Sequence, residues 1–297
     1  MTDDTEPTFY WAEVVDRTTL SPNLVRLTFG GEDLRRYRPA GVADECVALY
    51  FPAPGDARPP AMQCVDGVWW YHDDAARPEG RNYTVRRVTD AGELVIDFVA
   101  HDGGVAASWA LSARPGDVVV VTPPRHWFAP PADTAWFLLA ADLAGLPALG
   151  RVLEELPANT RAHAIVEVLD EADVQTFESA AEVTVQWCVG SGNGHGPGVL
   201  PDAVQAWEFP PGEGYVFFAG EAADSRAVRK YVRREQGMGV DRFDIIGYWR
   251  VRAEQWLAKY TAVQKEVSAV YVGALQEGRS ESEAALIYDE ALEKVGL

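Results

Sequence analysis

The sequence predicts three successive parts: an antiparallel β domain, an α/β domain with a parallel sheet, and a C-terminal helical extension. Three observations carry that prediction. Short apolar runs divided by Gly and Pro clusters fill the first 125 residues. From Trp136 onward, apolar runs alternate with helical stretches. The segment after Arg250 carries a single apolar stripe at helical spacing.

The β domain spans residues 9–130. Its candidate strands are Phe9–Val15, Leu24–Phe29, Val47–Phe51, Tyr83–Val88, Leu94–Val99 and Val118–Val121. Turn clusters such as Pro52-Ala-Pro-Gly55 and Arg114-Pro-Gly-Asp117 separate them, which suggests a barrel or sandwich. One helix interrupts the strands, from near Gly104 to just before Arg114. The α/β domain spans residues 131–250. Trp136–Ala141, His163–Leu169, Val183–Val189, Tyr215–Ala219 and Phe243–Gly247 are near-continuous apolar runs, as parallel strands buried on both faces require. Helices are expected at Leu146–Leu156 and Ala222–Gln236, and ligands at the carboxyl ends of the strands. The extension spans residues 251–297. Trp256, Tyr260, Val263, Val267, Val270 and Ala274 form its stripe, and Ser280-x-x-Glu283 is a capping box for a last helix ending near Lys294. The stripe must cover either the body of the chain or a second copy, so a monomer and a homodimer are both open.

Composition excludes several functions. The 297 residues carry 26 basic and 45 acidic side chains, a net charge of −19 that repels phosphate backbones and argues against nucleic-acid binding. At 47% hydrophobic the chain buries a sizeable core. Only four basic residues are lysines (Lys230, Lys259, Lys265, Lys294), so arginine is the only cation before them. Arginine binds phosphate and carboxylate in a planar fork, which leaves local anion sites open on an acidic body. Cys46, Cys64 and Cys188 form no CxxC pair, so no metal site or disulfide framework is expected, and core packing is the default for all three. Met1–Glu6 lacks the basic and apolar regions of a signal peptide, and no apolar run is long enough to span a membrane. The expected location is cytoplasmic.

The sharpest local signal is Arg81-Asn-Tyr-Thr-Val-Arg86, with two guanidiniums, a ring and a hydroxyl on one strand. Strict alternation puts Arg81 and Tyr83 on one face and Thr84 and Arg86 on the other. Asp97-Phe-Val-Ala-His101 follows, then Asp102-Gly-Gly-Val-Ala-Ala-Ser-Trp-Ala110. Glycines opening a helix offer free N–H groups to a pyrophosphate, which Arg81 or Arg86 would help neutralise. The plain alternatives are a barrel strand with a solvated Arg and a core Tyr, and a strand-capping His101.

In this order, Arg81-x-Tyr-Thr-x-Arg86, Asp97-Phe-x-x-His101 and Gly104-x-Ala-x-x-Trp-Ala110 resemble the FAD-binding half of the siderophore-interacting protein family, a branch of the ferredoxin–NADP reductase-like flavoproteins. Phe218-Ala-Gly-Glu221, Ser225-Arg-Ala-Val-Arg-Lys-Tyr-Val232 and Gly247-Tyr-Trp-Arg250 extend the likeness over roughly residues 9–250. The resemblance implies an FAD-binding β-barrel, a nicotinamide-binding-like domain, and hydride transfer from NADH or NADPH to FAD before electrons reach a ferric siderophore. It implies that Arg81 and Arg86 meet FAD phosphates, that Tyr83 packs on the isoalloxazine and that Thr84 bonds near N5; Tyr83 and Thr84 are the catalytic candidates. Gly104, Val105 and Ala106 would contact the pyrophosphate, with Asp97, Val99, His101 and Trp249 as further cofactor residues. Asp142, Glu221 and Arg250 are candidates for nicotinamide or acceptor.

The chain departs from the family pattern at Thr122-Pro-Pro-Arg-His126, at Ala141-Asp-Leu-Ala-Gly145 and at Trp187-Cys-Val-Gly190, where the family ends a strand in Arg. Gly190 and Gly192 begin a GxGxxG spacing that His195 breaks, so Gly190–Gly198 reads as a flexible loop. Three readings follow. The first is an FAD-dependent ferric-siderophore reductase, with ferredoxin as an alternative donor. The second is a family member turned to a biosynthetic intermediate with little use of NAD(P)H. The third is a flavin-binding module that dimerises through its C-terminal helices.

Overall fold

The computed structural model describes residues 9–297 apart from Gly67, Asp74 and Asp102. The acidic start Met1–Glu6 and Asp102 of the glycine motif therefore lie outside the described residues. The N-terminal half supplies β1 (Tyr10–Ser21), β2 (Leu24–Gly30), β3 (Cys46–Tyr50), β4 (Gln63–Val65), β5 (Val68–Trp70), β6 (Gly80–Thr84), β7 (Arg87–Val88), β8 (Leu94–Val99), α1 (Val105–Ser112) and β9 (Val118–Val121). Seven of these strands form one sheet in the order β6-β3-β9-β1-β2-β8-β7, and every pairing in it is antiparallel.

The two edge strands of this sheet are neighbours in sequence. Between them Val85 N–H donates to the Glu45 carbonyl (2.8 Å) and Arg86 N–H to the Val95 carbonyl (2.9 Å). One bent segment, Gly80–Val88, thus borders both ends of the sheet and wraps it around a core of Val47, Leu49, Phe51, Val85, Ile96 and Phe98. The bend falls within the Arg81–Arg86 motif, so alternation holds to Thr84 and breaks at Val85, which is fully buried in that core.

The C-terminal half supplies β10 (Trp136–Ala141), α2 (Leu146–Glu155), β11 (Arg161–Val168), β12 (Glu182–Val189), α3 (Leu200–Ala206), β13 (Gly214–Glu221), α4 (Ala222–Arg234) and β14 (Phe243–Trp249). All five strands are parallel, in the order β12-β11-β10-β13-β14. The order reverses at β10, and the crevice for a ligand opens beyond the strand ends there. Leu24, Val99 and Ala43 from the barrel pack into the core of this domain beside Leu146, Leu149 and Tyr215. Polar bolts add to that contact: Arg86 to Glu154, Arg151 to the Val85 carbonyl (2.8 Å), and Ser21 to Asp173.

The extension is a helical hairpin, α5 (Ala253–Gln276) and α6 (Glu281–Lys294). The expected capping box is present, with Ser280 and Glu283 satisfying each other's backbone N–H groups. Trp256, Tyr260, Val263 and Val267 of the stripe pack on Tyr288, Ala291, Leu292 and Leu297 of the same chain. In turn α6 seats Leu286 against Val228 and Val232 of α4, where Asp289 pairs with Arg229.

Three elements go beyond the sequence reading. Strand β1 continues past its apolar run to Ser21, because backbone pairing with β2 across Thr18, Thr19 and Ser21 requires no apolar side chain. The β4–β5 hairpin is exposed at every described position, so burial leaves no pattern in its sequence. The short α3 is masked by the Gly- and Pro-rich run before it. Cys64 also departs from expectation: it is exposed on β4, while Cys46 is buried and Cys188 half-buried. No helix of the described residues is long and apolar enough to cross a membrane, and no described cluster of His, Cys, Asp and Glu suits a metal.

Candidate functional site

Two adjoining regions carry the candidate residues: the bent strand β6–β7 with the start of α1, and the carboxyl edge of the parallel sheet. On β6 the register pairs Arg81 with Leu49 and Tyr83 with Val47, so both share the inner face, while Thr84 opposite Cys46 points to the other. Tyr83 packs on Phe98 with ring centroids 4.4 Å apart and meets Phe51 edge-on. Arg81 is exposed and paired with Glu79 (2.9 Å).

Thr84 is buried, and its hydroxyl has no hydrogen-bond partner. The hydroxyl of Tyr248, on β14 of the other domain, approaches it without a well-directed bond and is likewise buried and unpartnered. Burial drives the Tyr248 phenol well above its ordinary value. Arg86 Nε, just beyond β6 in the bent segment, also lacks a partner, although the two terminal nitrogens of that guanidinium hold Glu154 on α2 at 2.6 and 2.7 Å. Each such buried, unpaired group costs about 1–3 kcal/mol. The Thr84 and Tyr248 hydroxyls face each other across the joint between the two domains.

The start of α1 fits the phosphate end of such a ligand. Gly104 holds φ of +81°, a conformation open to glycine, and itself offers the helix no side-chain cap. The N–H groups at its first turn, at Val105 and Ala106, are of the kind that meets an anion. His101 stands close by, its Cε1 3.3 Å from where a Gly104 side chain would begin. Asp97 is nearly buried and held bidentately by Arg26 at 2.6 and 2.8 Å, and Val99 packs into the core of the second domain. The donor set, the unpartnered hydroxyls and the glycine-opened helix together fit FAD, with Arg81, Tyr83, Thr84 and Gly104–Ala106 as the residues that would hold it.

The second region is a cleft of about 420 Å³ at the carboxyl ends of β10, β11, β13 and β14. Asp142, Glu167, Glu221 and Asp224 line it together with Arg226, Arg250, Trp249 and Trp256. Asp142 is fully buried, accepts from Trp249 Nε1 (2.5 Å) and from the N–H of Ala144 (2.8 Å), and is pushed up to about 7 mainly by burial. Glu167 is buried and accepts from Ser191 Oγ (2.9 Å) and Val199 N–H (2.7 Å). Glu221 caps α4 through the N–H groups of Ala223 and Asp224, and also accepts from Val251 N–H (3.1 Å). Asp224 rises to about 6 through burial and its acidic neighbours, Glu221 first. Arg250 lies over the Trp256 ring at 4.1 Å, so the helical extension forms part of the cleft wall.

The glycine-dense loop is one wall of this cleft. A side chain on Gly192 (φ +62°) would begin 1.9 Å from Glu167 Oε2, so the loop lies on the carboxylate only because glycine stands there. His195 sits exposed at its tip. The structure thus divides the sequence candidates. Arg81, Tyr83, Thr84 and Arg86 lie on the bent strand, with Gly104, Val105, Ala106 and His101 at the start of α1. Trp249, Asp142, Glu221 and Arg250 belong to the cleft. Sequence reasoning missed Tyr248, Glu167, Asp224 and Arg226. Tyr248 was legible by alternation, since it must face opposite to Trp249 on β14.

An antiparallel barrel wall with a glycine-opened helix, set before a parallel sheet in this strand order, is the architecture of ferredoxin–NADP+ reductase-like flavoproteins. A ferredoxin–NADP+ reductase from Neisseria gonorrhoeae shares it with a TM-score of 0.57 over 82% of this chain and all of that one, at 12% identity, a likeness of fold alone. Residues 13–127 match the siderophore-interacting FAD-binding domain and residues 134–252 the siderophore-interacting protein domain. This chain belongs to the siderophore-interacting protein family. A siderophore utilization protein from T. fusca is 31% identical, with a TM-score of 0.72 over 82% of this chain and 92% of that one. Ferric vibriobactin reductase of Vibrio cholerae is 31% identical over 80% of this chain and 88% of its own length. An NADPH-dependent ferric-chelate reductase of Escherichia coli is 29% identical over 78% and 89%.

Proposed function

We propose that this chain is an FAD-dependent oxidoreductase that takes hydride from NADH or NADPH and delivers electrons to a ferric siderophore. The observation that carries the reading is the strand bearing Arg81, Tyr83 and Thr84 together with the glycine-opened start of α1. The family and the ferric reductases related to the chain support it.

FAD, when bound, supplies the conversion of a two-electron donor to a one-electron acceptor. The protein's residues position and shield. Thr84 donates or accepts at the flavin edge, and Tyr83 fixes the ring plane from the barrel side. Arg81 meets a phosphate rather than Arg86, because its exposed pair with Glu79 is weak and easily exchanged, whereas Arg86 is held at both terminal nitrogens by Glu154. The first turn of α1 takes the pyrophosphate on its N–H groups. Trp249, Asp142, Glu221 and Arg250 bind or orient the nicotinamide donor in the cleft. The reading places the enzyme in the cytoplasm, where reduced nicotinamide is made, with ferredoxin as the alternative donor.

An anaerobic stopped-flow experiment tests this. Mixing the yellow protein with NADH or NADPH should bleach the flavin absorbance, and a ferric siderophore should restore it. A yellow protein that neither nucleotide bleaches would overturn the nicotinamide step, and a protein that takes up no FAD would overturn the whole reading.

A further inference from the structure

The wall that α5 adds to the cleft does more than close it. The match to the siderophore-interacting protein domain ends at residue 252, and Trp256 stands just beyond it, in the first turn of α5. Arg252, between them, holds φ of +55°, a left-handed conformation that is costly for a residue with a side chain. That turn, with Val251 N–H held by Glu221 (3.1 Å), brings the Trp256 ring to the cleft.

Two cations line the cleft, Arg226 and Arg250, and neither has a carboxylate within salt-bridge distance among the described residues. Three of the carboxylates beside them are taken up by other donors: Asp142 by Trp249 Nε1, Glu167 by Ser191 and Val199, and Glu221 by the first N–H groups of α4. The charges of Arg226 and Arg250 also oppose each other, which a ligand carrying more than one negative charge relieves.

Arg250 lies with its guanidinium carbon 4.1 Å from the Trp256 ring centroid, so it meets the ring by its face. A guanidinium held by its face keeps its edge N–H groups for a second partner, whereas an unsupported arginine samples many rotamers. The ring is itself fixed. It stacks on Tyr260 at 4.8 Å and 11°, and Tyr260 accepts a hydrogen bond from the Tyr288 hydroxyl of α6 (2.9 Å). Contacts therefore run without a break from α6 to a cation in the cleft.

We infer that Trp256 is a positioning residue for the nicotinamide donor: its ring holds the edge of the Arg250 guanidinium toward the donor's pyrophosphate, which makes the helical hairpin part of the donor site. The identity of the ligand rests on the reductase reading; the residue and its partner are read from the stack. Nothing in this contact requires the nicotinamide ring, so a donor fragment without it is the direct probe.

The test is calorimetric titration of the FAD-loaded full chain with ADP-ribose, which carries the pyrophosphate and no nicotinamide, and with adenosine, which carries no phosphate. Trp256→Leu keeps apolar bulk in the hairpin and removes the aromatic face. It should weaken ADP-ribose about tenfold and leave adenosine unchanged, and the half-saturating NADH concentration in flavin bleaching should rise by a similar factor. Trp256→Phe, which keeps a ring face, should return ADP-ribose to within about threefold of the wild type. Arg250→Met should weaken ADP-ribose at least as much as Trp256→Leu, and the double variant little further, because the ring acts only through that guanidinium. Unchanged ADP-ribose affinity in Trp256→Leu, an equal loss for adenosine, no recovery in Trp256→Phe, or additive losses in the double variant would each overturn the inference. If NADH or NADPH bleaches the wild type while Trp256→Leu binds ADP-ribose unchanged, this inference fails alone. A wild type that is neither bleached by them nor able to bind ADP-ribose takes the reductase reading down with it.

Discussion

Thr84 and Asp142 are the two buried polar side chains at which the proposed site can be tested residue by residue. A buried hydroxyl without a partner destabilises the flavin-free protein, so Thr84→Val should leave the apo protein as stable as the wild type or slightly more so. The same change should reduce the rise in Tm on adding FAD and slow flavin bleaching by about tenfold or more, because the lost bond is one made only to the bound ring. Thermal scans with and without FAD check the first part and stopped-flow the second. A drop in apo stability of several degrees would mean that the hydroxyl has a structural partner.

Asp142 bears on pH. Its pKa of about 7 lies above the ordinary carboxylate value, so the folded chain binds a proton that the unfolded chain has released between roughly pH 4 and 7. Its contribution therefore favours folding at low pH and is lost as pH rises through 7. Asp142→Asn should flatten that part of the stability profile, gaining relative to the wild type at pH 8 and not at pH 5. Denaturant midpoints across that range decide it.

At the scale of elements, the joint between α2 and the barrel is polar and buried. Arg151 donates to the Val85 carbonyl and to Glu155 (2.6 Å), and lies 3.6 Å from Glu45, which is fully buried and also bonded by Tyr37 and by Ala40 N–H. Arg151→Ala leaves that carboxylate without its cation and should cost about 3–5 kcal/mol in urea unfolding. Arg151→Met should cost about as much, since the lost charge and not the lost volume sets the penalty. The cleft at the sheet edge bears on the choice of nucleotide. A 2′-phosphate would enter a cleft holding Asp142, Glu167, Glu221 and Asp224 against Arg226 and Arg250, on a strand end that lacks the arginine of the family pattern at Gly190. NADH should therefore bleach the flavin faster than NADPH, and Asp224→Asn should narrow the gap. Ratios of single-turnover rates measure both.

For the whole molecule, the helical hairpin decides how much of the chain is one unit. Trp256, Tyr260, Val263 and Val267 of its stripe pack on α6 while Val270 is exposed, and its salt bridges reach α4, so truncation after Arg250 should expose Val228 and Val232 and lower Tm. Sedimentation of the full chain before and after truncation tests the homodimer alternative: one protomer per particle in both fits a hairpin that serves its own chain, and a fall from two protomers to one fits a dimer held by the hairpin.

Local order was legible in the sequence wherever burial imposes a period. The five apolar runs of the second domain, the two long helices between them and the Ser280–Glu283 cap all stand where their patterns put them; for the central β11, β10 and β13 this follows from burial on both faces, whereas β12 lies at the sheet edge with no fully buried residue. The motif Arg81–Arg86 stood out by its residue types, but its chemistry alone fits a solvated arginine and a core tyrosine equally, and only the resemblance to the family gave it a flavin role. Long-range pairing was not legible. That Arg86 meets Glu154, that Tyr248 rather than Trp249 reaches Thr84, and that Gly190–Gly198 forms the wall over Glu167 depend on contacts between residues tens of positions apart. Side-chain chemistry and periodicity fix what each segment can bury. Only the closing of the barrel on its bent strand, and its docking against the sheet, decides which buried groups meet and which are left waiting for a ligand.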